Sequence, residues 1–345
     1  MNTKRLPTMD AIRILLASLV LYSHCYPLLL GSDNFEPLYI LTEGQLTFGG
    51  LAVDAFFILS GYLIAQSWVR DPGFSFFKKR AIRIYPGFVV AVLVGVVLVA
   101  PLSTNLPTHT NVWSLVVHLL NLQGYDPHNA FSGNHFRTLN GSLWSIRYEF
   151  LCYIGVALLG LTGLLKRRSV LTSIWGGSWV LSVACGALGK TPTLGPLEPL
   201  IGYLPFWVRL LPYYLSGVML WAWESELPDF SGFEILFLVW CLLIGCLTPG
   251  FGVAFMFPVA LPVILHWLSR QSVIGAKWIT ESGDISYGVY LYGFLVQQLV
   301  VRWVPGLTVW TFLVLSLPIT ILLGAASWKY VERPILGWRR SGRGQ

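Results

Sequence analysis

The chain has 345 residues, 55% of them hydrophobic and only 11% charged, with a mean hydropathy of +0.65 and a formal net charge of +7. A typical globular chain is about 25% charged, so too few charges are present to cover a water-facing surface, which excludes a cytosolic enzyme, a disordered scaffold and a secreted disulfide-stapled domain. The composition is that of an all-α, polytopic membrane protein whose partner over most of its surface is the lipid bilayer. Cys25, Cys152, Cys185, Cys241 and Cys246 sit in apolar runs without C-x-x-C spacing, so neither a disulfide framework nor a metal site is expected.

A helix needs about 20 mostly apolar residues to cross roughly 30 Å of hydrocarbon. Ten stretches fit: 9–30, 47–68, 85–103, 143–165, 171–188, 206–223, 232–247, 251–268, 285–304 and 308–328. An eleventh, 112–122, is too short and reads as a re-entrant or interfacial segment within a long loop, 104–142. Lys and Arg set the orientation, because cytoplasmic loops retain positive charge. With the N-terminus inside, Lys4, Arg5, Arg70, Lys78, Lys79, Arg80, Arg83, Lys166, Arg167, Arg168, Arg270, Lys277, Lys329, Arg333, Arg339, Arg340 and Arg343 all fall on the cytoplasmic side. Counting the eleventh stretch as a span would put Lys166, Arg167 and Arg168 outside, so ten crossings with both termini cytoplasmic is the expected topology. The positive charge is dispersed rather than gathered into a stripe or a recognition motif, and no nucleic-acid partner is expected. The first span carries Arg13 and His24 and lacks a small-x-small cleavage site, so it is expected to be retained. Residues 1–345 are expected to form a single membrane domain without a fused C-terminal soluble domain.

An ionisable group in hydrocarbon costs several kcal/mol unless it faces a cavity or a partner, which makes each one a candidate for function. Arg13 and His24 are eleven positions apart, three helical turns plus about 20°, and so share one face about 16 Å apart along the axis. His24 lies six residues below the outer end of the first span, Asp54 seven below the outer start of the second, and Glu149 six below that of the fourth. At 1.5 Å per residue all three fall roughly 9–10 Å beneath the outer surface. A carboxylate beside an imidazole fixes its tautomer and raises its basicity, as general-base chemistry on a hydroxyl requires. The competing explanations are a charge network that locks three helices together and an Arg13 that snorkels to the interface.

At the inner side, Arg80 and Arg83 lie three apart on nearly one helix face, just after Lys78 and Lys79. Arginine suits fork-like contacts with phosphate oxygens, while a positive-inside anchor explains the same cluster. Ser60-Gly61 reads as a point of close helix packing rather than chemistry. Ser132-Gly133-Asn134-His135 spells the name of an esterase class whose four residues belong to separate blocks, and the match is treated as coincidence. His109, His118, His128 and His266 show no ligand spacing, and no GxxxxGK[ST] or GxGxxG phosphate loop is present.

Six motifs, in order along the chain, resemble those of the membrane-bound acyltransferase-3 family, which includes O-acetyltransferases of bacterial surface polysaccharides. Arg13, ten residues and His24 are similar to the family's R-x10-H signature, and Gly49 to Leu63, reading GGLAVDAFFILSGYL, to its GxxxVDxFFxxSGFL block. Phe77 to Pro86 resembles the RxxRIxP block, and Asn140 to Phe150, reading NGSLWSIRYEF, the LWSLxxE block. Ile285 to Leu291 and Tyr330 to Pro334 are similar to the SYxxYL and YxExP elements. Two departures stand out. Relatives often carry a histidine shortly after SYxxYL, where this chain reads Leu291-Tyr292-Gly293-Phe294, and many carry a fused hydrolase-like domain that is not expected here.

The resemblance implies transfer of an acyl group, usually acetyl from acetyl-CoA on the cytoplasmic side, to a hydroxyl of a glycan or glycolipid at the outer side of the cytoplasmic membrane. Arg80 and Arg83 would hold the donor's phosphates, and Arg13 would line its path. His24, oriented by Asp54 or Glu149, would take the acceptor's proton or carry the acyl group briefly. Trp144 and Tyr148 of the LWSLxxE-like block, and His135 and Arg137 of loop 104–142, are expected to contact substrate. The alternative is a proton-coupled transporter or flippase of a glycolipid or anionic solute, with His24, Asp54 and Glu149 as a proton relay.

Overall fold

The computed structural model describes residues 7–104, 107–272 and 283–341; Lys4, Arg5, Lys277 and Arg343 lie outside them. The described chain is helical, and no β-strand occurs in it. Ten long helices coincide with the ten expected stretches: α1 (Pro7–Leu30), α2 (Phe48–Arg70), α3 (Phe74–Val94), α4 (Trp144–Leu161), α5 (Arg168–Leu188), α6 (Leu204–Trp223), α7 (Gly232–Leu247), α8 (Gly252–Arg270), α9 (Ser286–Trp303) and α10 (Val309–Ser327). Among the described residues, seven helices are long and apolar enough to cross a membrane. The other three are α6, α7 and α9. Two of them carry polar groups, Arg209 in α6 and Gln297, Gln298 and Arg302 in α9, and α7 has only 16 residues.

The helix that holds the third expected span is longer than the span: α3 begins at Phe74, and a π-helical turn, Gly95–Val99, carries it on to Leu102. Charge keeps Lys78 to Arg83 out of hydrocarbon but not out of a helix, where Lys and Arg are good formers. Arg80 and Arg83 therefore project from a formed helix.

Contacts divide the chain into two compact units. The first comprises residues 1–36, 77–147 and 273–345, and is built on α1, most of α3, α9 and α10. At one of its ends Gly288 and Gly324 let α9 and α10 approach until an added Cβ on Gly288 would sit 2.8 Å from the Gly324 carbonyl. The expected short segment forms a nine-residue helix, Val112–Leu120, capped by the Asn111 side chain accepting from the Ser114 N–H. Its connecting loop starts and ends high on α3, with the Phe131 N–H donating to Ser103 Oγ at 3.0 Å. Between those points the Leu120 carbonyl accepts from the Tyr85 hydroxyl at 3.0 Å. Tyr85 and Ser103 are separated by about 27 Å of helix, so the loop meets α3 at two well-separated levels.

The second unit comprises residues 37–76 and 148–272, with α2, the body of α4, α5, α6, α7 and α8. Its central contact is α2 against α6, where Gly61 faces the Tyr214 carbonyl and Gly217 faces the Ile58 carbonyl, each with room for no side chain. The expected packing role of Ser60-Gly61 is thus met by Gly61. Small residues at a helix crossing let backbones touch where lipid supplies no hydrophobic drive between helices.

Candidate active site

In the first unit, α1 and α9 lie side by side around His24. The His24 ring is half-buried and meets the Phe294 ring edge-on, centroids 5.2 Å apart. Its Nδ1 is buried and has no hydrogen-bond partner among the described residues. One turn along α9, the fully buried Gln297 donates to the Leu21 carbonyl at 2.7 Å and lies 3.3 Å from Cys25 Sγ, pinning the stretch of α1 that carries His24. Gln297 Oε1 is likewise buried without a partner. A neutral imidazole nitrogen can accept the proton of a hydroxyl brought against it.

The Asn140-Gly141-Ser142 segment closes over the same region. Asn140 Nδ2 donates to the Leu291 carbonyl at 2.8 Å while its Oδ1 accepts from the Ser142 N–H. Gly141 is required by Phe294, whose ring lies 2.8 Å from where a Cβ would stand. Tyr290 binds the Ser142 carbonyl and lies 2.6 Å from Ser145 Oγ. At the end of α1, the exposed His135 packs its ring on Gly31. Gln298 fixes this stretch by donating to the Phe136 and Thr138 carbonyls and accepting from Asn134. Arg137 is exposed, Arg147 is buried, and Trp144 is half-buried.

At the other end of the unit the arginines form a network. Arg13 donates to Asp284 Oδ2 at 3.0 Å, and Arg83 spans Asp284 Oδ2 and Glu332 Oε2 at 2.5 and 2.9 Å. Ser286 and Ser327 hydroxyls complete the two carboxylates at 2.7 and 3.1 Å. The π-helical turn Trp328–Glu332 delivers both Glu332 and Trp328, and Arg83 lies over the Trp328 and Tyr287 rings. Arg80 sits half-buried three residues before Arg83 and Lys78 is exposed. Glu332 lies in the YxExP-like element, whereas Asp284 stands just before the SYxxYL-like one and belongs to no motif. The available signal was charge balance: two arginines in apolar surroundings require acidic partners.

In the second unit Asp54 is fully buried on α2, and Arg209 of α6 grips it with two bonds of 3.2 Å, from Nε to Oδ1 and from Nη2 to Oδ2. Gly50, one turn before Asp54, leaves room for that guanidinium, 2.5 Å from where a Cβ would stand. Glu149 Oε1 accepts from Ser60 Oγ at 2.8 Å and from the Tyr153 hydroxyl at 2.6 Å. Tyr148 supports a turn: its hydroxyl accepts from the Tyr203 N–H at 2.7 Å, and its ring presses on Gly202 and on Trp207. His24, Arg13, Arg80, Arg83, Trp144, His135 and Arg137 therefore belong to one unit, and Asp54, Glu149 and Tyr148 to the other. Ser60, Tyr153 and Arg209 were not anticipated as carboxylate partners.

A family model described as "Acyltransferase domain" matches residues 6–329. The chain is 28% identical over 341 residues to an O-acetyl transferase of Shigella phage Sf6, covering 95% of each. It is 25% identical over 365 residues to Nodulation protein 10 of Rhizobium leguminosarum bv. viciae, covering 96% of this chain and 94% of the relative. Over 273 residues it is 25% identical to acyltransferase MdmB of Streptomyces mycarofaciens, covering 72% and 68%. No solved structure matches.

Proposed function

The chain belongs to the acyltransferase-3 family, and from that premise we propose that it moves an acetyl group from cytoplasmic acetyl-CoA to a hydroxyl of a surface glycan or glycolipid at the outer face of the inner membrane. That it is a membrane acyltransferase follows from the family and from its span-type helices; donor, acceptor, direction and residue roles are the reading offered here. The topology in this reading is ten crossings in one membrane domain with both termini cytoplasmic. The observation that carries it is the division of labour along α1, with Arg13 in the arginine network at one end and a half-buried His24 with an unpaired ring nitrogen three turns away.

In this reaction the acceptor hydroxyl gives its proton to His24 as its oxygen attacks the thioester carbonyl. The carbon–sulfur bond then breaks, and the CoA thiolate takes the proton back from the imidazolium. General-base help of this kind contributes typically 10²–10⁴-fold. Arg13 and Arg83, held by Asp284 and Glu332, shape the donor's entrance, and Arg80 on the same helix as Arg83 is the group proposed to meet its phosphates with it. Asp54 and Glu149 enter as positioning residues of the second unit, one holding α6 through Arg209 and the other holding α2 through Ser60.

The test is the ester content of purified surface glycan, read by NMR, from cells lacking the gene and complemented with wild type or His24→Ala at equal membrane levels. Wild type should restore the esters and His24→Ala should not. Esters unchanged in all three strains would remove the glycan as acceptor.

A further inference from the structure

The loop between α3 and α4 holds a cavity of about 600 Å³ lined by His109, Asn111, Ser114, His118, Tyr125 and Asp126 among others. Nothing in the sequence spacing of the histidines announced it. The hairpin course of the loop gathers them, with an antiparallel backbone bridge between His109 and His128 closing one side and the Asn111 N–H donating to the Tyr125 hydroxyl at 2.7 Å. No Lys or Arg is among its lining residues, and no cluster of described residues could hold a metal ion.

The helix Val112–Leu120 presents two chemically opposite faces. Val112, Trp113 and Leu120 are 70%, 77% and 68% exposed, with Val116 and Val117 on the same side. At 100° per residue these five span one sector, while Ser114 and His118 point the other way, toward the cavity. The helix therefore turns an exposed apolar face away from the cavity and a polar one into it. His118 Nδ1 lies 2.7 Å from the Ser114 carbonyl, which can only accept, so Nδ1 is the donor of this contact. The Tyr125 ring packs edge-on to His118 at 5.4 Å.

The cavity also adjoins the His24 region through one layer of chain. Asp126 Oδ1 accepts from the Leu139 N–H at 2.6 Å, and Gly124 lies against the Asn140 carbonyl. Asn140 and Gly141 in turn rest on Leu291 and on Phe294, which touches His24.

We infer that this chamber binds a neutral sugar of a membrane-anchored acceptor. The inference rests on the acyltransfer reading for its role and on the chamber's chemistry for its ligand. A lining of hydroxyl, amide, imidazole and carboxylate groups with one aromatic ring and no Lys or Arg suits a polyol better than a phosphate. In the inferred arrangement the exposed apolar face of Val112–Leu120 lies against lipid, which places the sugar's anchor beside the chamber.

The experiment uses the full chain in lipid nanodiscs and saturation-transfer NMR with methyl glycosides of neutral hexoses and, as the charged arm, glycerol phosphate. A glycoside should receive saturation. His118→Ala and Ser114→Trp, each checked for an unshifted melting transition, should weaken that signal about fivefold or more, the scale of one or two lost hydrogen bonds. No glycoside signal, a signal unchanged in both variants, or stronger binding of glycerol phosphate would overturn the inference. Cleavage of acetyl-CoA by the wild-type protein, followed in parallel, tests the acyltransfer reading separately, so the two can fail independently.

Discussion

Phe294 turns its edge to the ring of His24 at an interplanar angle of 83°, and the other flank of the same ring occupies the space that any side chain at position 141 would need. One aromatic residue therefore sets both the imidazole and the backbone of the Asn140-Gly141-Ser142 segment. An edge-to-face pair is worth about 0.5–1.5 kcal/mol beyond its buried area, which as a barrier change is about 2- to 12-fold. Phe294→Leu keeps most of the volume and loses the ring, so kcat for acyl transfer should fall by about that factor with the donor KM unchanged. A lower melting temperature with kcat intact would confine Phe294 to packing.

Asp54 and Arg209 offer a test of how the second unit stays together. Removing Arg209 leaves a fully buried carboxylate without its cation, a change that costs about 3–5 kcal/mol in buried pairs. Because the Arg209 side chain is 37% accessible, the lower end, about 3 kcal/mol, is expected for Arg209→Met. Adding Asp54→Leu should restore much of the loss, since an apolar pair of similar volume replaces a desolvated ion pair at little cost. Thermal unfolding of the two variants in detergent reads this directly, and a double variant no more stable than Arg209→Met would contradict it.

The helices were legible in the sequence because hydropathy in a bilayer is a one-dimensional signal: all ten expected stretches are helices, and the short eleventh stretch forms the nine-residue helix Val112–Leu120. What hydropathy could not give was lateral position. His24, Asp54 and Glu149 were grouped by depth alone, a coordinate shared by every helix at that level, whereas their hydrogen bonds depend on which helices are neighbours. Asp54 finds Arg209 and Glu149 finds Ser60 and Tyr153, all within the second unit. α3 outruns its span for a related reason: hydropathy marks the edge of the hydrocarbon, while helix propensity continues through Lys78 to Arg83.

Arg83 links Asp284, Glu332 and two aromatic rings, and only a planar fork can serve all of them. Arg83→Lys keeps the charge but can meet one carboxylate at a time, leaving the other buried. It should lower the melting temperature and raise the donor KM, whereas Glu332→Gln, which removes the charge and keeps the Ser327 contact, should do less of both. Measuring the pair as a double-mutant cycle should give a coupling of about 1–3 kcal/mol. A coupling near zero would mean that the arginine network does not behave as one unit.

The crossing of α2 and α6 sets the last expectation. A Cβ on Gly61 would sit 2.0 Å from the Tyr214 carbonyl oxygen, and one on Gly217 would sit 2.0 Å from that of Ile58. Both obstacles are backbone, so neither can rotate away, and the helices must separate to admit even one methyl group. Overpacking of this kind costs about 1–3 kcal/mol and occasionally more. Ser60, next to Gly61, would be drawn away from Glu149 as the helices part, so Gly61→Ala should lose activity as well as stability. Because both substitutions open the same contact, the double variant should be scarcely worse than either single one, a departure from additivity of the size seen for touching residues. Unfolding midpoints for the three variants decide the matter: strictly additive losses would mean that each glycine relieves a separate clash.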